Sequence, residues 1–365
     1  MIRTCFLKDG DWKVKDGIFI HSSPRSSNLY DTMWNSYVAD SYDESNIDDS
    51  YWSERVSRRL ELIAMINPAR IHGTHRTDEE MQEIKHAAII DGGRVLDCCS
   101  GAGAWSIAAL EIGANEVVSC DGSLTALRDM PTRIKNSNTL SHLNGRKIIR
   151  IQADANYLSD IFTDECFDLS FIRMAIHHLK NPFKTMYDLA RVTRPLGNIS
   201  FDCFLVSCTS DITRDMREYF LKKDLSNVYN FLSIFGIVKT RDDGTESINS
   251  IVDIKDVITG DVKLQREYDK DIDFLVSMSN KYGIEMVRSS LHMENFQTDY
   301  IHNLKDEDIL SFCVGDLGLR LVDRIRYKSG DESLPDRGTY TFNVPHGWAK
   351  DHTTFPTPLV GREFK

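Results

Sequence analysis

From Arg94 to about Val206, short apolar runs alternate with longer amphipathic ones, and the alternation predicts strands separated by helices. Val95 and Leu96, Glu116 to Cys120, KIIRIQADA (147–155), Phe167 to Met174 and NISFDCFLV (198–206) read as five strands. Between them, Trp105 to Leu110 reads as a helix. A second helix opens at Pro182, with Pro195 and Gly197 to stop it. Strand and helix in turn make an α/β protein with a mostly parallel sheet. Outside this stretch the pattern changes. Residues 1–30 read as a small β-hairpin, with Asp9-Gly10 and Asp16-Gly17 as turn signals. Residues 31–90 are helical and aromatic, ending in a helix with Thr77 as N-cap and Glu79 and Glu80 in its first turn. Residues 208–304 interrupt the alternation with helical patterns at Ile212 to Lys223, Asn227 to Phe235 and Asp271 to Lys281. A last helix (305–318) and two strands (319–328 and 338–345) follow within 305–345, and the tail 346–365 has no period, although its Trp348 and Phe355 should pack against something.

Composition narrows the function classes. The chain has 365 residues, 41% hydrophobic and 27% charged, enough to bury a full core. Its net charge of −11 repels a phosphate backbone, and its Lys and Arg form no basic stripe, so nucleic acid is not the expected partner. No apolar run approaches the length of a membrane span, and the N-terminus lacks a secretory core, which makes a cytoplasmic protein the default expectation and a membrane partner an unexpected one. The eight cysteines include no C-x-x-C, and several fall in strands as buried free thiols do, so neither a disulfide nor a metal is implied.

The chemistry concentrates at RVLDCCSGAGAW, residues 94–105. Asp97 stands where the first core strand leaves the sheet, and Ser100, Gly101, Ala102 and Gly103 let the backbone pass close to a ligand before the helix starts. A dinucleotide fingerprint needs a third small residue, usually Gly or Ala, where this chain has Ser106, and an acid beside the glycines would oppose a pyrophosphate. A ligand with a cationic amino group and no phosphate suits the loop better, and S-adenosylmethionine is such a ligand. Asp121 follows Gly103 by 18 residues, near the spacing of an acid that grips ribose hydroxyls, with Gly122 beside it. Asp154, followed by Ala155, ends the third core strand, where a carboxylate can accept a hydrogen bond from an adenine amino group.

Taken in order, these segments resemble the class I S-adenosylmethionine-dependent methyltransferases. VLDCCSGAG is similar to their motif I, SCDGS to the acidic loop after the second strand, QADA to the adenine-contacting segment, and IHHLKNP with ARVTRPLGNISF to the region after the fourth strand. The resemblance runs from Tyr37 to Phe204 and departs from the motif at Cys99, where the first glycine usually stands. It implies a Rossmann-like, doubly wound sheet of seven strands with an antiparallel last strand, to which this chain adds the hairpin and a mainly helical insertion. The divisions are then a hairpin extension (1–30), a cofactor-covering segment (31–90), the cofactor-binding core (91–207), an insertion where the family builds its substrate lid (208–304), the last helix and hairpin of the core (305–345) and the tail. The implied cofactor contacts are Tyr42, Asp97, Ser100, Gly101, Gly103, Asp121, Gly122, Asp154, Ala155 and Arg173, the last of these alternatively a solvent-facing charge.

Methyl transfer is an in-line attack on a sulfonium methyl, and a base is needed when the acceptor must lose a proton. His177 and His178 follow the fourth core strand at the ligand-binding edge of the sheet and are the candidate bases. In extended chain they would point oppositely, so that one faces the substrate. Alternatively the pair is structural. The expected activity is methylation of an oxygen or nitrogen of a small molecule. A protein or peptide methyltransferase and an inactive cofactor-binding subunit stay open, as does a homo-oligomer.

Overall fold

The computed structural model describes residues 6–22, 93–101, 103–128, 130, 147–205, 210–235, 252–291, 302, 304–327 and 337–356. The expected cofactor-covering segment with Tyr42, the Thr77-capped helix and Ala102 lie outside the described residues. The chain divides into two compact units: Met1–Cys203 with Leu304–Arg326 and Gly338–Lys365, and Phe204–Asn303 with Tyr327–Arg337.

The first unit is built on one sheet. A hairpin of β1 (Trp12–Lys15) and β2 (Ile18–His21) precedes β3 (Arg94–Cys98), α1 (Ala104–Glu111), β4 (Glu116–Asp121) and β5 (Lys147–Gln152). The short α2 (Leu158–Ile161), β6 (Phe167–Ile172), α3 (Pro182–Val192) and β7 (Thr193–Phe204) complete the alternating stretch. The strands lie in the order β1-β2-β5-β4-β3-β6-β7-β9-β8, the last two being β8 (Arg320–Tyr327) and β9 (Arg337–Asn343). Strands β5, β4, β3, β6 and β7 are all parallel, as connections through helices require. On β7 and β9, Leu196 donates to the Val344 carbonyl while the Ser200 hydroxyl donates to that of Tyr340, so these two strands run in opposite directions.

The sheet has nine strands, where seven are expected. The hairpin accounts for the difference: β2 pairs in parallel with β5, Ile18 opposite Arg150 and Ile20 opposite Gln152, so the extension is a continuation of the sheet. Ile18 is fully buried with Leu127 and Met130, and that apolar contact secures the hairpin. A second difference lies at the end of α3. Pro195 and Gly197 do not stop this helix; it has already ended at Val192, and both residues sit inside β7. The register slips here, from Phe167 opposite Thr193 to Leu169 opposite Asn198. A Cβ at Gly197 would come within 2.7 Å of the Asp168 carbonyl oxygen and of the Thr193 side chain, so the glycine serves close strand approach.

The helix α1 covers one face of the sheet. Ala108, Ala109, Leu110 and Ile112 pack there with Val95, Val117, Leu169 and Phe171. The tail also packs: buried Trp348, which opens a short helix (Trp348–Asp351), donates from its indole to the Leu317 carbonyl, and Phe355 lies edge-on to Tyr187.

The second unit has its own core. Its five described helices cover Ser210–Phe220, Leu225–Ser233, Ile254–Thr259, Asp269–Tyr282 and Ile284–Ser290. Ile212, Met216, Phe220, Phe231, Leu232, Leu275 and Val287 are buried together, with Tyr219 and Phe274 stacked at 3.8 Å on their flank.

Candidate cofactor site

The order of strands reverses between β3 and β6, each paired with the other but leading away in opposite directions through the sheet. Crevices at such a point, beyond the carboxyl ends of the strands, are where open α/β sheets bind ligands. The acids named from the sequence come to this edge. Asp97 is one residue from the end of β3, Asp121 ends β4, and Asp154 follows β5 by two residues.

The turn after β3 bends through left-handed backbone at Cys99 (φ 58°), Gly101 (φ 51°) and Gly103 (φ 83°). At Gly103 a side chain is doubly disfavoured, since a Cβ would also fall 2.7 Å from the methyl of Met130. Cys99 takes the same left-handed region where the motif usually has glycine, so the departure seen in the sequence leaves the turn's left-handed geometry in place.

Asp97 is buried, 1% exposed. The Ser106 hydroxyl, from the first turn of α1, donates to its Oδ2 at 2.6 Å, and Ser106 in turn lies 2.5 Å from the Ser119 hydroxyl. Burial pushes the Asp97 pKa up to about 7; Asp121 reinforces the shift, and the Ser106 hydrogen bond and the Arg173 cation oppose it. A carboxyl held in this condition gains strongly from a cation brought against it. Ser106, which argues against a dinucleotide in the sequence, therefore has a positive task as the hydrogen-bond donor to Asp97.

Asp121 organises the loop from the other side. Its Oδ2 accepts from the Gly101 backbone N–H and its Oδ1 from that of Ser123, both at 2.7 Å. Beside it, Gly122 faces open space within 4 Å of where a Cβ would stand. Asp154 caps a short 3-10 turn that begins at Ala155, accepting from the backbone and side-chain nitrogens of Asn156 at 2.9 and 2.7 Å. The Ser100 hydroxyl is buried with no hydrogen-bond partner among the described residues, so the loop holds a polar group still to be satisfied.

The residues after β6 differ from an extended strand. The strand ends at Ile172, Met174 is left-handed (φ 53°), and Ile176 to His178 form a 3-10 turn. His177 and His178 therefore do not point oppositely. Both are buried, with ring centroids 4.1 Å apart. Arg173 is buried too, 6% exposed, which removes its reading as a solvent charge. Its guanidinium lies 4.7 Å from the Trp105 ring centroid and 3.6 Å from the Asp202 carboxylate. Trp105 and Asp202 belong to the site's surroundings and are not evident from the sequence; the signal was an acid inside the apolar run of β7.

With this geometry established, similarity to known proteins can be placed on it. Residues 96–201 match the family described as methyltransferase domain. A ubiquinone/menaquinone biosynthesis C-methyltransferase of Bdellovibrio bacteriovorus is 30% identical over 117 residues, which cover 32% of this chain and 46% of that protein, so the match spans about half its length. Solved structures with a similar fold include the N-methyltransferase NodS of Bradyrhizobium japonicum in complex with S-adenosyl-L-homocysteine, at 11% identity, covering 88% of this chain and all of that one (100%), TM-score 0.42. Another is a putative methyltransferase of Bacillus halodurans, at 13% identity, 72% and 96% coverage, TM-score 0.39. The turn after β3 and the acids at the ends of three neighbouring strands all lie within residues 96–201, the stretch that matches the methyltransferase-domain family.

Proposed function

We propose that this chain transfers a methyl group from S-adenosylmethionine to an oxygen or nitrogen of a small-molecule acceptor. The observation that carries the reading is the row of acids Asp97, Asp121 and Asp154 around a left-handed glycine turn, a lining suited to a cationic nucleoside and opposed to a pyrophosphate. Asp97 would hold the amino group, Asp121 the ribose hydroxyls and Asp154 the adenine amine, with Ser100 and the backbone of Gly101 and Gly103 lining the turn. When bound, the cofactor supplies an electrophilic methyl on sulfur. The protein's part is alignment, and removal of a proton where the acceptor carries one. His177 or His178, on the turn after β6, is the group assigned to that proton. Residues 208–304 are assigned to acceptor selection, because they are inserted in the chain directly after β7 and the cofactor motifs contain nothing that recognises an acceptor. A net charge of −11 argues for an acceptor that is not nucleic acid. Among the described residues no helix is long and apolar enough to cross a membrane.

A second reading, transfer to carbon, is favoured by the name of the Bdellovibrio relative. Mass-spectrometric location of the added methyl on the product separates the two.

Calorimetry tests the cofactor assignment. The wild-type protein should bind S-adenosylhomocysteine and not NAD. Asp121→Ala removes the acceptor of two backbone N–H groups and of the sugar, each charged hydrogen bond being worth about 1.5–3 kcal/mol, so affinity should fall at least about tenfold. Unchanged affinity in a folded Asp121→Ala protein would overturn the assignment.

A further inference from the structure

A fully buried acid outside the three strand-end carboxylates sits at the same edge of the sheet. Asp202, on β7, is 0% exposed. Its Oδ1 accepts the backbone N–H of Met174 at 2.5 Å, and its Oδ2 faces the Arg173 guanidinium at 3.6 Å. That guanidinium lies over the indole of Trp105, in the first turn of α1. The contacts form a continuous chain from the cofactor helix through Trp105, Arg173 and Asp202 to Met174, three residues before the histidine pair. Every link belongs to the first unit.

Three features show that the arrangement has a task beyond packing. A buried ion pair is a poor way to gain stability, since desolvation costs about as much as the attraction returns. Met174 is held in left-handed backbone, a conformation that is costly for a non-glycine residue and persists where surrounding contacts enforce it. The Arg173 cation faces the Asp202 carboxylate and also weakly opposes the upward shift that burial imposes on Asp97, which ties the pair to the cofactor turn.

Resting on the methyltransferase reading above, we propose that Asp202 is a positioning residue of the cofactor site. It pins the exit of β6 so that Arg173 lies over Trp105, and so that the turn bearing His177 and His178 starts from a fixed point. Asp202 touches neither cofactor nor acceptor in this role.

The arrangement sets two substitutions against each other. Removing the Asp202 charge takes a negative charge away from Arg173, which favours the ionised form of Asp97. Removing Arg173 takes a positive charge away from this edge of the sheet, which disfavours it. The other groups that act on Asp97 are unchanged in both variants: the Ser106 hydroxyl from α1 and Asp121 from β4.

The test is calorimetric binding of S-adenosylhomocysteine between pH 5.5 and 8.5 by wild-type, Asp202→Asn and Arg173→Met proteins, with thermal unfolding as the check on folding. Asp202→Asn should bind about tenfold more weakly at pH 8, and the pH below which affinity declines should move down. Arg173→Met should move that pH upward. Midpoints that coincide with wild type, or that move in one direction for both variants, would overturn the proposal, and the Arg173→Met arm decides it alone if Asp202→Asn does not fold. Failure of the wild-type protein to bind S-adenosylhomocysteine would instead overturn the methyltransferase reading, and this proposal with it.

Discussion

Asp97 is the residue whose surroundings make the sharpest statement about pH. Its pKa is raised by burial to about 7, so the folded protein without ligand keeps a proton there that the unfolded chain releases. The sign follows. Between the ordinary carboxylate value and about pH 7, stability of the ligand-free protein should fall as pH rises, and Asp97→Asn should flatten that slope. Binding of an ammonium-bearing ligand requires the ionised form. Affinity for S-adenosylhomocysteine should therefore be highest above about pH 7 and decline by up to tenfold per unit below it, accompanied by proton release on binding; calorimetry in buffers of different ionisation enthalpy measures both. The histidine pair supports a separate expectation. If one of the two takes the acceptor's proton, alanine there should lower turnover about 100-fold or more with cofactor affinity nearly intact, while equal small losses in both variants would mark the pair as structural. The sequence placed Asp97, Asp121 and Asp154 because each ends an apolar run, a pattern that needs no tertiary knowledge. It could not place Asp202 against Arg173, since that pairing depends on the register of β6 with β7. Nor could it show that the rings of His177 and His178 lie against each other on a 3-10 turn, because the left-handed backbone at Met174 precedes them without a glycine to announce it.

At the scale of elements, periodicity found the core strands and α1, and missed where neighbouring elements decide the outcome. Pro195 and Gly197 read as helix stops, yet α3 ends at Val192 because the following residues are recruited into β7. The hairpin is the other instance. Its Asp-Gly turns were legible, but its attachment to the sheet depends on pairing with β5, more than a hundred residues later. That attachment makes a measurable claim. Ile18 is fully buried against Leu127 and Met130, so Ile18→Ala should destabilise the protein by about 2–4 kcal/mol, read as a lower urea midpoint. Because Met130 also lies under Gly103, the same variant should weaken S-adenosylhomocysteine binding measurably. A midpoint shift no larger than that of the exposed Val14→Ala variant would show that the hairpin is merely laid against the sheet.

At the scale of the molecule, the two units differ in what holds them together, and the difference makes their tasks separable by experiment. The first closes its core around the sheet and carries every described residue assigned to the cofactor. The second is interposed after β7 and buries a separate apolar cluster, from Ile212 to Leu291, among its own helices. Excising it should not strip the apolar contacts that β3, β4, β6 and α1 make with one another. The cofactor motifs contain nothing that recognises an acceptor, so recognition is assigned to what has been added around them. Replacing residues 208–303 by a short Gly/Ser loop should leave S-adenosylhomocysteine affinity within a few fold of the full chain and abolish methylation of the natural acceptor. To find that acceptor, the full chain is incubated with methyl-labelled S-adenosylmethionine and fractionated small-molecule extracts, and label entering a product is followed. If the shortened protein binds cofactor and still methylates the acceptor at the normal rate, the inserted unit does not select the substrate. If it loses cofactor binding while remaining folded, the division of labour proposed for the two units is wrong.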